Sequence, residues 1–218
     1  AKLKSALGDD AGALKAYETA AEQAGARKAE VLLEVARLRL RNRELPKARA
    51  VAEQVLKLDS TNAGAAAIVA EVQATSSPDE KTDALVALLT KVANAPNAGG
   101  DDAAKALWYL GEILYRQYKK LPADQVEEKV GMLQQLQGIY NQAASMGSAE
   151  WAVASLWRIG NGLKHISDVV EATPVPAGLK PAEVEQFRKA VAAQVAPLKE
   201  QSEKAFQACL DRAEALEV

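Results

Sequence analysis

Two segments of this chain nearly repeat each other. Ala106-Leu107-Trp108-Tyr109-Leu110-Gly111-Glu112-Ile113-Leu114 returns 49 residues later as Ser155-Leu156-Trp157-Arg158-Ile159-Gly160-Asn161-Gly162-Leu163. Both place leucine or isoleucine three and four residues apart, so both read as one helix with an apolar stripe. A unit of one or two helices cannot bury such a stripe alone and must stack on a neighbour, which constrains the chain to an elongated array of helix pairs.

Composition agrees with that constraint. Of the 218 residues, 49% are apolar but only 5% aromatic, and alanine is the commonest residue. Helices that pack through small side chains suit such a chain better than a bulky sheet core. The net charge of -2 gives no reason to expect nucleic acid or an anionic membrane as a partner. One local exception is basic: between Arg27 and Lys57 there are nine basic residues against four acidic, with Arg37, Arg39, Arg41 and Arg43 alternating along one stretch. Such a run is ordinarily a solvated helix flank; its alternative is an anionic contact at Arg37 and Arg41. No apolar run reaches the ~18 residues that a transmembrane helix needs. The lone Cys209 reads as a small core residue.

Further units appear along the chain. Ala13, Tyr17 and Ala20 share a helical stripe at spacings of four and three, preceded by Gly8, Asp9 and Asp10. The next unit has Leu32, Val35 and Ala36, a turn through Asn42 to Pro46, then Ala48, Ala52 and Val55. A third has Ala66, Val69 and Ala70, a loop Ser76-Ser77-Pro78-Asp79, then Ala84 and Leu88 before Pro96. The last two are longer. One breaks at Leu121-Pro122 and carries Tyr140 and Ala143 on its second helix. The other has a loop from Thr173 to Gly178, then a helical pattern from Pro181 in which Pro197 should kink or divide the helix, with Ser202, Phe206 and Cys209 beyond it.

The second helices of the first, fourth and fifth units thus carry an aromatic with a small residue three later, preceded in the first and fifth by a small residue four earlier, while Ala48, Ala52 and Val55 keep the spacing without an aromatic, at a period near 34 residues in the first part. This pattern resembles the tetratricopeptide repeat, departing from it at Arg39, where the family has an aromatic. The resemblance implies an all-α, right-handed α-solenoid of antiparallel helix pairs, about four full units plus a truncated first one. Residues 1–98 would hold the regular units and residues 99–218 the two elongated ones, with Asn94 to Asp102 as the joint. The helix before Gly8 spans only Ala1 to Leu7, so a truncated or proteolysed chain is expected, with further repeats of the same chain outside it.

The same resemblance implies a non-enzymatic scaffold that binds a peptide or helix of another protein and supports assembly of a larger complex. In each duplicated helix the leucines and Gly111 or Gly160 set the buried stripe. Trp108 and Trp157 fall on its flank. In tetratricopeptide proteins that flank lines the concave groove, so the groove candidates are Lys105, Trp108, Glu112, Tyr115, Arg116, Trp157, Asn161, Lys164 and His165. Aromatics mixed with cations and amides are what interface hot spots are made of. The alternative is that both tryptophans fill space beside alanine-rich neighbours. His165 has no local partners for catalysis or metal binding, and Glu183 and Glu185 after Pro181 read as solvated acids of a first helical turn. Neither a cofactor nor a metal is expected.

Some members of the family clamp a terminal carboxylate with lysine, asparagine and arginine. Leu33, Arg37, Ala67 and Glu71 do not reproduce that set, so capture of a terminal carboxylate is not expected. The elongated pair, with Pro197-Leu198 and Ala205-Phe206, is also similar to tetratricopeptide proteins of the Gram-negative envelope associated with gliding motility. A periplasmic or envelope location follows from that narrower resemblance. The alternatives are a cytoplasmic adaptor and an architectural spacer within a longer multi-repeat protein.

Overall fold

A computed structural model of the chain describes residues 1, 4, 6, 8–77, 82–96 and 98–216. Most of the expected first helix, Ala1 to Leu7, and Pro78 and Asp79 of the third loop lie outside the described residues. Among the described residues there is no strand. The α-helices are α1 (Asp10–Gln23), α2 (Lys28–Arg41), α3 (Leu45–Leu58), α4 (Ala63–Ser76), α5 (Asp83–Ala93), α6 (Gly100–Lys120), α7 (Val126–Ser145), α8 (Ala149–Glu171) and α9 (Pro181–Glu214), with one 3₁₀ turn at Gly25–Arg27. They form two compact units, Ala1–Tyr109 and Leu110–Val218.

In the first unit each helix packs on the next from α1 to α5, and α2 also touches α4. Contact between alternate helices is what stacked helix pairs produce, because first helices of successive pairs share a layer. Local chemistry starts the helices. Asp9 accepts the Gly12 N–H at 2.9 Å and Asn62 accepts the Ala65 N–H at 3.0 Å, each satisfying a donor that a helix leaves open. Pro46 in the first turn of α3 sacrifices no intrahelical bond. The alanine-rich α4 is buried on nearly every side, from Gly64 through Ala70, and so serves as the centre of this unit.

Ala48, Ala52, Val55, Ala66, Val69 and Ala70 are all buried, as their spacing predicts. Two stripes are shifted by one residue. In α1 the buried line is Ala13, Tyr17 and Ala21 while Ala20 is exposed, and in α5 it is Leu85, Leu89 and Val92 while Ala84 is exposed. Spacings of four and three fit either register, and in α5 the neighbouring helices select the one that buries Leu85 in place of Ala84. Arg39, at the aromatic position, is held by Glu18 and by Glu44, with its Nη1 donating to Glu44 Oε2 at 2.7 Å. An ion-paired arginine stem therefore fills the place of a ring, and Leu38 beside it is buried.

In the second unit α8 packs against both α7 and α9. The α9 helix is a single run of 34 residues that continues through Pro197 without division. The loss of one backbone hydrogen bond there is outvoted by the turns on either side, including the buried Val195 and Ser202, whose hydroxyl donates to the Gly160 carbonyl at 2.9 Å. Cys209 is buried.

The duplicated glycines each receive a ring. A Cβ on Gly111 would lie 2.4 Å from Tyr140, and one on Gly160 would lie 2.6 Å from Phe206. Only hydrogen at these positions lets the aromatic of the unit's second helix reach the backbone of its first.

Candidate protein-interaction site

Trp157 is a large apolar side chain left 48% exposed. It is nevertheless held. The guanidinium of Arg158 lies 4.8 Å from the centroid of the Trp157 ring and 4.6 Å from that of Tyr115, so it contacts two aromatic faces. Glu112 grips the same guanidinium bidentately, with Arg158 Nε and Nη2 donating at 2.6 and 2.5 Å. The Tyr140 hydroxyl donates to Glu112 Oε1 at 2.9 Å. Burial, and then the Glu112 carboxylate, push the Tyr140 phenol far above its ordinary range, so it stays a donor at any physiological pH. Burial raises the Tyr115 phenol as well, against the opposing Arg158. The consequence is a fixed aromatic surface backed by a half-buried ion pair whose side chains are 15% and 18% exposed.

The other candidates of this unit surround that core differently. The Asn161 amide donates to the Trp157 carbonyl at 2.8 Å, one turn away on the same helix. Lys164 is exposed and pairs with Asp168 at 2.9 Å. Arg116 is half-buried, its Nε 3.4 Å from the Glu112 carbonyl. His165 stands at a separate position: its Nδ1 is 3.2 Å from Lys119 Nζ, and its ring meets Tyr118 edge-on at 5.2 Å between centroids. Burial first, then Lys119 and Lys129, hold the imidazole below its usual proton affinity, so it accepts from Lys119 in the neutral form. Lys129, 1% exposed, donates to the Tyr118 carbonyl at 3.1 Å near the end of α6.

The remaining candidates belong to the first unit. Trp108 is half-buried, with its ring edge-on to Tyr109 at 5.1 Å. Lys105 pairs with Glu71 at 2.7 Å. Arg37 bridges Glu34 and Asp102, both at 2.5 Å, and Arg41 is bound to Asp10. Lys105, Glu71, Arg37, Asp102 and Arg41, but not Trp108, border a cavity of about 350 Å³ between α2, α4 and the start of α6. Glu183 accepts the Lys180 backbone N–H at 2.7 Å as the first-turn acid of α9, while Glu185, beyond that turn, pairs with Lys189 at 2.7 Å on the exposed face.

Sequence reasoning did not single out Arg158 or Tyr140 as site residues. Arg158 stands 46 residues from Glu112, whereas the duplication offset is 49, so the pair joins non-equivalent positions of two repeats. Repeat alignment cannot reveal such a contact.

No protein-family model and no curated protein matches the chain. Among solved structures it is similar to two crystal structures of MamA, a tetratricopeptide-containing protein. One is 15% identical with a TM-score of 0.57, covering 98% of this chain and 87% of that one. The other is 16% identical with a TM-score of 0.59, covering 98% and 94%. At such identity the likeness is one of fold: an all-α solenoid of the tetratricopeptide type.

Proposed function

We propose that the chain is a protein-interaction scaffold that binds a peptide or helix of a partner and so supports assembly of a larger complex. The observation that carries this reading is Trp157. A half-exposed indole ordinarily loses rotamer freedom on binding, but this one already rests on a guanidinium clamped by Glu112 and Tyr115. Pre-organised aromatics beside arginine account for a disproportionate share of binding energy at interfaces. The tetratricopeptide-like fold supports the reading, since stacked helix pairs of this type serve as extended binding surfaces.

The test is an array of helical and extended peptides titrated against the wild type and Trp157→Ala. A hot-spot indole predicts an affinity loss of about thirtyfold or more at unchanged helicity. If every peptide that binds the wild type binds the variant equally, the assignment of this surface is wrong. The resemblance to envelope proteins extends the reading to a periplasmic or envelope location. Release of the protein by osmotic shock, as opposed to retention with cytoplasmic markers, tests that extension.

A further inference from the structure

The turn between α2 and α3 contains a residue that its backbone does not favour. Arg43 has φ = 61°, the left-handed region, and is the single non-glycine there among the described residues; the others are Gly8, Gly25, Gly100, Gly147 and Gly178. The hydrogen bonds explain the geometry. The Arg43 N–H donates to the Leu40 carbonyl at 2.9 Å and the Glu44 N–H to the Arg39 carbonyl at 2.9 Å, the two bonds of a Schellman helix end. The position Arg43 occupies in that motif is ordinarily glycine, because a Cβ is strained there. Helix termination therefore gives no reason for arginine.

The side chain does have a location that matters. Arg43 lines the cavity of about 350 Å³ that Arg37, Arg41 and Lys105 also border, over a floor that includes Ala67 and Ile68. The other three cations are engaged: Arg37 by Glu34 and Asp102, Arg41 by Asp10, Lys105 by Glu71. The Arg43 guanidinium is exposed and has no ion-pair or hydrogen-bond partner among the described residues. Backbone strain kept at a residue whose charge is unused inside the molecule is the mark of a group meant for something outside it.

We propose that this cavity binds a side-chain carboxylate from an acidic segment of a partner protein, with Arg43 as the residue that receives it. Guanidinium presents a planar pair of donors matched to a carboxylate, and Arg37 and Arg41 are braced by their own acids so that they cannot fold away. The pairing of the other cations selects the ligand. Four carboxylates, Glu34, Asp102, Asp10 and Glu71, already answer Arg37, Arg41 and Lys105, so the site has no net charge to spare and a single carboxylate can meet only the Arg43 guanidinium, whereas a doubly charged phosphate meets the surrounding carboxylates. This site lies in the first compact unit and does not depend on the role of Trp157.

The experiment titrates a hexaglutamate peptide with blocked termini, its hexaglutamine counterpart and inorganic phosphate against the wild type, Arg43→Gly, Arg43→Lys and Trp157→Ala. Arg43→Gly installs the residue the turn favours, so its melting temperature should equal or exceed that of the wild type. Its affinity for hexaglutamate should fall about tenfold to a hundredfold, the range for a charged hydrogen-bonded contact. Arg43→Lys should fall between the two, and Trp157→Ala should bind hexaglutamate as the wild type does. The proposal is overturned if the wild type does not bind hexaglutamate, if Arg43→Gly binds it as tightly as the wild type, or if hexaglutamine binds equally. It is also overturned if phosphate binds more tightly than the peptide, which would make this a free-anion site. A lowered melting temperature for Arg43→Gly would refute it as well, since arginine would then have a structural reason to be there.

Discussion

Replacing Gly111 by alanine places a Cβ 2.4 Å from Cε1 and 2.6 Å from Cζ of Tyr140. The ring cannot step aside easily, because Tyr140 is 1% exposed and its hydroxyl is bound to Glu112 at 2.9 Å. Overpacking of this kind costs about 1–3 kcal/mol. Weakening a hydrogen bond to a charged acceptor adds roughly 1.5 kcal/mol, and the better helix propensity of alanine returns up to about 1 kcal/mol. The expected net loss is about 2–3 kcal/mol, or roughly 4–12 °C in melting temperature for a domain of this size. Gly160→Ala is the internal comparison. Its Cβ would meet Phe206 at 2.6 Å, yet that ring is only half-buried and carries no polar anchor, so it can swing outward. The loss there should be about 1 kcal/mol or less. Urea denaturation with matched m-values is the assay, and a double-mutant cycle sharpens it: in a Tyr140→Ala background, Gly111→Ala should become neutral or stabilising. Equal losses at the two glycines, or no coupling between Gly111 and Tyr140, would refute the reasoning.

The structure makes two further predictions. Because burial and then Lys119 and Lys129 lower the proton affinity of His165 in the folded chain, the unfolded chain binds that proton at higher pH. Stability should therefore fall as the pH drops through the usual histidine range near 6.5 and stop falling once the folded imidazole is also charged, and His165→Gln should remove this part of the pH profile in urea melts at graded pH. Pro197→Ala should stabilise the protein by about 1–3 kcal/mol, since α9 is already continuous there and alanine restores an N–H facing the Ala193 carbonyl; an unchanged or lower denaturation midpoint would contradict this.

Much of the fold is legible in the chain because its signals are local and repeated. Leu107, Leu110 and Leu114 recur at helical spacing, Ala48, Ala52 and Val55 identify a buried line, and the duplicated glycines mark where a ring approaches a backbone. The one-residue shifts in α1 and α5 were not legible, since Ala20 and Ala21, or Ala84 and Leu85, suit the same periodicity and differ only in what the neighbouring helix offers. Whether Pro197 divides α9 or leaves it continuous is illegible for a related reason. A proline acts locally, but whether a helix survives it depends on packing on both sides.

The functional surfaces divide in the same way. That Trp157 flanks the buried stripe follows from about 100° of rotation per residue, which any helix obeys. That Glu112 and Tyr115 fix Arg158 against the neighbouring indole, and that Tyr140 in turn holds Glu112, depends on contacts between segments 28 to 46 residues apart, for which a single sequence has no marker. Arg43 is the reverse case. Its place in a basic run was visible from the residue types alone, but its left-handed backbone and its vacant guanidinium exist only once α2 has ended against α3 and Asp10, Glu34, Glu71 and Asp102 have taken the neighbouring cations. Periodicity determines which residues must be buried. Only the packed structure decides which of the remaining charges and rings are already satisfied, because that depends on distances the chain acquires on folding.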